Sequence, residues 1–250
     1  MLNVYFSNIG LVPVDDQITG SSLLMGTIRD KHRILQYLNR EDRCRALVGQ
    51  LMLDRYISGK VIRKSYGGQN IKPHNDDMFF NLSHDEEFVI LVTSEEYSVG
   101  VDIMKIRLTN QNKSIDEMLR NLRSIFSHSE WKYINDGTDK LTRFYEVWTV
   151  KEAYVKCLGT GLYTEPEMLE TKITESGVAT IQHKGNEKPS SQFRCKVYHD
   201  AFPGYIVAIC VGPPHLCDRS WISERDLLRR SCSLSESVFP DILPFEEFRI

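Results

Sequence analysis

No two cysteines of this sequence stand in a CxxC pair: Cys44, Cys157, Cys195, Cys210, Cys217 and Cys232 are scattered along the chain. That spacing argues against a zinc knuckle or a thioredoxin-like site, and the six read as reduced thiols, most of them packing residues. Long apolar runs are missing too. No window reaches the roughly 18 consecutive apolar residues of a membrane span, and MLNVYFSNIG has no basic region followed by an apolar stretch. Net charge is scarce: 31 basic residues against 34 acidic ones leave −3. No overall field then draws a nucleic acid or a membrane, and an anionic ligand has to be met by local cations. The expectation is a cytoplasmic globular protein with neither nucleic acid nor membrane as partner.

What is present is enough apolar side chain, 41% of 250 residues, to bury a full core in one domain or two half-sized ones. Residues 30 to 57 carry Ile34, Leu35, Leu38, Ala46, Leu47, Leu51 and Leu53 at helical spacing, interleaved with Lys31, Arg33, Arg40, Arg43 and Arg45. One or two amphipathic helices with a basic outer face are expected there. SYGGQNIKPHNDD is rich in turn formers. After it, FVILVTS and VGVDI read as strands of a hairpin turned at Glu95 and Glu96. A helix over 114 to 126, with Ser114 and Glu117 as a capping box, and another over 144 to 158, stopped by Gly159, follow from apolar period and end signals. LETKITES, ATIQHK, FRCKVYH and YIVAICV read as short strands. The pattern predicts an α+β protein of two similar halves, 1–104 and 105–212, with a peripheral, partly disordered extension over 213–250.

Two stretches carry chemistry: FNLSH with VGVDIM over 80 to 104, and WTVKEAYVKCLGTGL over 148 to 162. In the second, Trp148, Glu152 and Lys156 are four residues apart and share one helical face. Alone, Glu and Lys at this spacing make a surface ion pair, but a tryptophan on the same stripe would be wasted on solvent. In the first, strand alternation puts Asp102 on the face of Gly100 and Met104. Ser83 and His84 are strand neighbours pointing opposite ways, which argues against a hydrolytic serine–histidine pair.

Together the two stretches resemble the Sfp-type 4′-phosphopantetheinyl transferases, over about residues 30 to 210, and most resemble the animal branch because Met104 stands where bacterial members have a second acid. The resemblance implies the pseudo-symmetric two-half fold of that family, with the active site between the halves, acting as a monomer. It implies transfer of 4′-phosphopantetheine from coenzyme A to a serine of apo carrier-protein domains, of the fatty acid synthase or aminoadipate-semialdehyde dehydrogenase type, with Mg2+ held by Asp102 and Glu152. Water or Asp85 would fill the position of the missing acid. Glu152 would be the base, Lys156 would neutralise the leaving oxygen, and Lys151 would reach the adenosine phosphates. Asn81, Leu82, Ser83 and His84 would line the coenzyme A site, His84 touching a phosphate. Lys31, Arg33 and Arg45 match basic positions of the family's first helical region. Arg63, Lys64, Ser65, Tyr66, Gly67 and Gly68 match its nucleotide loop, although Gly68-Gln69 replaces the usual Lys-Pro. Arg120 and Arg123 on the 114–126 helix would face the acidic helix of the carrier. A non-catalytic module that binds coenzyme A or a carrier is the alternative, and a magnesium-dependent phosphohydrolase is a more distant one.

Overall fold

In the computed structural model the described residues are 2–11, 34–57, 65–66, 69–70, 75, 78–108, 114–159, 165–184, 193–213 and 245–247. In chain order the elements are β1 (Leu2–Asn8), α1 (Arg40–Tyr56), β2 (Ser65–Tyr66), β3 (Gln69–Asn70), β4 (Phe79–Asp85), β5 (Phe88–Ser94) and β6 (Ser98–Lys105). They continue with α2 (Ile115–Asn121), α3 (His128–Asn135), α4 (Lys140–Leu158), β7 (Leu169–Ile173), β8 (Val178–His183), β9 (Arg194–Tyr198), β10 (Tyr205–Gly212) and β11 (Phe245–Glu247). The fold is α+β, as expected. No helix among the described residues is long and apolar enough to cross a membrane.

One sheet has the order β11-β1-β5-β4, the other β6-β10-β9-β8-β7. Strand alternation stacks them into layers. On β5, Val89 and Leu91 pack with Val48, Met52 and Leu53 of α1, while Ile90 and Val92 turn to the other side and meet Val99, Val101 and Ile103 of β6 with Val207, Ile209 and Val211 of β10. The alternate residues of β10, Ile206, Ala208 and Cys210, pack with Val150, Ala153, Tyr154 and Cys157 of α4. The order of layers is therefore α1, first sheet, second sheet, α4.

Three expectations are corrected here. FVILVTS and VGVDI are not a hairpin: β5 pairs with β1 and β4, β6 pairs with β10, and the chain changes sheets between them. The sheets change over before Ser98, so the Asp102 strand belongs to the second sheet rather than to a half ending at 104. The extension is not wholly peripheral, because Phe245–Glu247 pairs parallel with β1. The rest of it from 214 onward lies outside the described residues. The strand β1 and the helix α3 had not been expected at all.

The helix ends follow their sequence signals. Asp139 caps α4, its carboxylate accepting from the N–H groups of Leu141 and Thr142, and Gly159 closes it at φ 74°. Ser114 caps α2 by accepting from Glu117 N–H, and the complete capping box is the one at Ser127 and Glu130 of α3.

Candidate functional site

The helix α4 is buried almost all round. Between Phe144 and Leu158 every residue is buried except Trp148, Glu152 and Lys156. On this otherwise sunken helix one aromatic, one carboxylate and one ammonium form the stripe left partly exposed, the face from which a ligand can reach it.

The facing element is β6, held to α4 at close range by Gly100. A Cβ there would lie 2.1 Å from the Ala153 carbonyl oxygen and 2.3 Å from Cys157 N, so nothing but hydrogen fits between strand and helix. Ser98 ties the same junction, its hydroxyl donating to Cys157 O at 2.9 Å, and the Cys157 thiol returns a contact to Ser98 O at 3.3 Å. Two residues along the same face, Asp102 meets the stripe: Lys156 Nζ donates to Asp102 Oδ1 at 2.6 Å. Ser83 of β4 joins them, its Oγ donating to Asp102 Oδ1 at 2.9 Å and accepting from Lys156 Nζ at 2.9 Å. Asp102 Oδ2 is buried with no hydrogen-bond partner among the described residues.

Electrostatics single out Glu152. Burial pushes its carboxyl above the ordinary range, the Asp102 carboxylate pushes it further, and Lys156 pulls it back. Two carboxylates near one another, one with an unsatisfied buried oxygen, fit a hard divalent cation. Magnesium sites commonly use only one or two carboxylates and take their other ligands from water and substrate phosphates. Among the described residues no cluster of three or more His, Cys, Asp or Glu side chains is arranged for a metal, so the pair stands as a two-carboxylate set.

Residues 98–210, from the first residue of β6 into β10, match the family model described as the 4′-phosphopantetheinyl transferase superfamily. Over this stretch the chain is similar to the 4′-phosphopantetheinyl transferases. It is 28% identical over 189 residues to the phosphopantetheinyl transferase of a Thraustochytrium species, covering 68% of this chain and 66% of that one. It is 29% identical over 161 residues to the L-aminoadipate-semialdehyde dehydrogenase-phosphopantetheinyl transferase of Rattus norvegicus, covering 58% and 52%. To 4′-phosphopantetheinyl transferase Sfp of Bacillus subtilis it is 27% identical over 213 residues, covering 80% and 88%. The chain thus spans about half to two thirds of the length of the first two of these relatives.

The residues expected from the transferase family fall into distinct places. Asp102, Glu152, Lys156 and Ser83 come together. The four residues of Asn-Leu-Ser-His do not line one wall, because alternation splits them. Asn81 turns to β6, its Oδ1 accepting from Val101 N–H at 2.9 Å, whereas Leu82 packs in the cluster of α1 and β5. His84 keeps an exposed edge. Its basicity is depressed by the atoms crowded round it and further by Arg45 and Lys156, so at neutral pH it is an uncharged imidazole that can still donate one hydrogen bond.

Lys151 is a correction. Its ammonium is fully buried, 2.8 Å from Glu130 Oε2 and 3.0 Å from the carbonyl oxygens of Ile125 and Pro166. Glu130 also accepts from the N–H groups of Ser127 and Thr171. Lys151 therefore closes a satisfied buried network joining α3, α4 and β7 and is no part of the exposed stripe. Asp85 is likewise engaged: Oδ2 accepts from Lys105 N–H at 2.7 Å and Oδ1 lies 3.7 Å from Arg107, so it does not supply the missing acid. Met104 packs against the core beneath α4. Arg45 spends its guanidinium on Glu86 O at 2.7 Å and Asp42 at 2.5 Å. Arg120 and Arg123 are exposed, Arg123 bonding Phe126 O and lying over the Trp131 ring. Lys31, Arg33, Arg63, Lys64, Gly67 and Gly68 lie outside the described residues, and Ser65 and Tyr66 form the backbone of β2.

Proposed function

We propose that this protein transfers the 4′-phosphopantetheine group of coenzyme A to a serine of an apo carrier-protein domain and releases 3′,5′-ADP. The observation that carries the reading is the stripe of Trp148, Glu152 and Lys156 on a buried helix, set against Asp102. In phosphoryl transfer the protein's task is alignment and charge stabilisation rather than covalent chemistry, and this site offers a base, an ammonium and a carboxylate pair.

Asp102 and Glu152 would hold the magnesium ion, and Asp102 Oδ2 is the unpartnered oxygen for it. Bound there, the ion would supply charge stabilisation at the diphosphate. Glu152 takes the proton of the carrier serine hydroxyl as that oxygen attacks the β-phosphorus. A carboxyl raised above its ordinary range is, when ionised, a stronger base than a solvated one. The bond from that phosphorus to the oxygen of 3′,5′-ADP breaks, and Lys156, 29% exposed, turns from Asp102 to the departing oxygen, where charge collects. Uncharged His84 donates to a phosphate oxygen rather than pairing with it as a cation. The carrier is received beside α2, where Arg120 is exposed and complements an acidic surface.

Asp102→Asn tests this reading. The variant should still bind coenzyme A without metal, and carrier modification should fall to background. Modification at the wild-type rate, with the same response to added Mg2+, would remove Asp102 from the reaction.

A further inference from the structure

On a buried side of α4, away from the exposed stripe, Glu146 carries a carboxylate that is only 6% exposed. A buried charge of this kind needs a partner on each oxygen. Tyr133 of α3 donates its phenol hydrogen to Oε2 at 2.5 Å. On Oε1 the partner is His199, whose Nε2 is 2.5 Å away. His199 opens the turn 199–204 between β9 and β10, so these side chains fasten that turn to two helices. The same turn braces both sheets. Phe202 stacks on Phe88 of β5 with ring centres 4.2 Å apart, and Gly204 O accepts the Ile106 N–H at 2.8 Å just beyond the end of β6.

The two donors differ in how they treat protons. Burial and the Glu146 carboxylate push the Tyr133 phenol well above its ordinary range, and the Arg143 guanidinium, 4.6 Å over its ring, opposes them. Tyr133 is therefore a neutral donor throughout the neutral range. His199 can be charged or not. Its bond to Glu146 raises its basicity above the ordinary imidazole value, burial lowers it, and the charges of Glu146 and Asp200 raise it again. The imidazole is 40% exposed, so water can take the Nδ1 proton while the Nε2 hydrogen stays on Glu146. Among the described residues, the titratable and charged groups set against this pair are Tyr133 from α3, Arg143 from α4 and Asp200 in the turn itself.

We propose that Glu146, Tyr133 and His199 form a proton-operated latch, which locks the β9–β10 turn onto α3 and α4 when the imidazole is protonated and loosens it when the imidazole is neutral. In the neutral state Glu146 keeps two hydrogen bonds but loses its counter-charge, and charge-assisted bonds are the stronger ones. The sign follows from linkage. A histidine raised in the folded state contributes stability that is fully present below its unfolded value of about 6.5 and is lost as pH rises through the folded value. The latch is closed in mildly acidic solution and weakens toward alkaline pH. It stands apart from Asp102, Glu152 and Lys156 and does not depend on the reaction assigned to them.

The test reads the imidazole and the turn separately, on the full chain without coenzyme A or metal. Nuclear magnetic resonance titration of the histidine Cε1–H signals, with that of His199 identified by its loss in His199→Gln, should place His199 above the ordinary imidazole value in wild type and lower in Glu146→Gln. Hydrogen exchange of the Ile106 N–H reads the turn. Wild type is compared with His199→Gln at each pH, so that the intrinsic exchange rate cancels. From about pH 5.5 to about pH 8 wild type should lose protection relative to the variant by roughly two- to fivefold, the span of a partly exposed ion pair. His199→Gln changes a partly exposed side chain and carries the comparison if Glu146→Gln fails to fold. A His199 that titrates at or below the ordinary value overturns the proposal, and so does a titration unmoved by Glu146→Gln or a protection ratio that stays constant with pH.

Discussion

Replacing Gly100 by alanine adds one carbon at the point where β6 touches α4. That carbon would lie 2.1 Å from the Ala153 oxygen, 2.3 Å from Cys157 N and 2.8 Å from Cys157 Cα, where a comfortable contact is about 3.5 Å. All three atoms are backbone, so no side chain can rotate away, and strand and helix must part by roughly 1 Å. Overpacking costs typically 1–3 kcal/mol, and a clash with backbone alone belongs at the upper end, about 3 kcal/mol. Out of a typical ~5–15 kcal/mol of total stability the protein should stay folded at low temperature. The catalytic consequence is larger. The strand carries Asp102 and the helix carries Glu152 and Lys156, and a misplacement of ~1 Å between reacting groups can cost about 100-fold in rate. Urea melts would measure the first effect and single-turnover carrier modification at 10–15 °C below the variant's midpoint, an interval of roughly the size a few kcal/mol moves Tm, the second. Gly49→Ala is the control: its added carbon meets only the movable end of Leu82, at 3.1 and 3.3 Å, and it gains helix propensity. Wild-type stability and rate in Gly100→Ala would refute the reasoning.

Lys156→Ala should lower the turnover number on the order of a hundredfold beyond its effect on coenzyme A affinity, and Lys156→Arg should recover part of it; equal losses in rate and affinity would make Lys156 a binding residue. Glu152 titrates above its unfolded range, so the stability tied to its neutral form is fully present below about pH 4.3 and lost as pH rises through the higher folded value. Glu152→Gln should therefore gain on wild type in melting temperature from pH 4 toward pH 7, a window opening near the ordinary Glu value of about 4.3, and parallel curves would show no such penalty. Lys151→Met leaves Glu130 charged and buried and should cost about 3–5 kcal/mol without changing coenzyme A affinity of the folded protein; lost affinity at unchanged stability would return Lys151 to the site.

The helix α4 was legible because its signal is local: Trp148, Glu152 and Lys156 share a face by spacing alone, and Gly159 marks the end. Strand alternation likewise put Gly100, Asp102 and Met104 on one side of β6, where the structure has them. The hairpin of β5 and β6 failed for a physical reason. After Phe88 the residues of β5 are buried on both faces, as are those of β6 through Ile103, so no polar side shows which strand lies beside which and which lies across a layer. The buried position of Lys151 was hidden because its partners sit 15 to 26 residues away, and only the docking of α3 onto α4 brings them in. The spacing of Asn81, Ser83 and Asp85 did contain the tie between β4 and β6, yet polar residues at alternate positions also fit a solvent-facing strand side.

The central claim is that the site where Asp102 of β6 meets Glu152 and Lys156 of α4 moves phosphopantetheine from coenzyme A to a carrier. Incubating the protein with coenzyme A, Mg2+ and an apo acyl carrier protein, then weighing the carrier by mass spectrometry, addresses it directly. The account predicts a mass gain of one phosphopantetheinyl group on the carrier serine, abolished in EDTA and in Asp102→Asn. A carrier of unchanged mass, beside a protein that binds coenzyme A normally, would contradict it and leave a binding module.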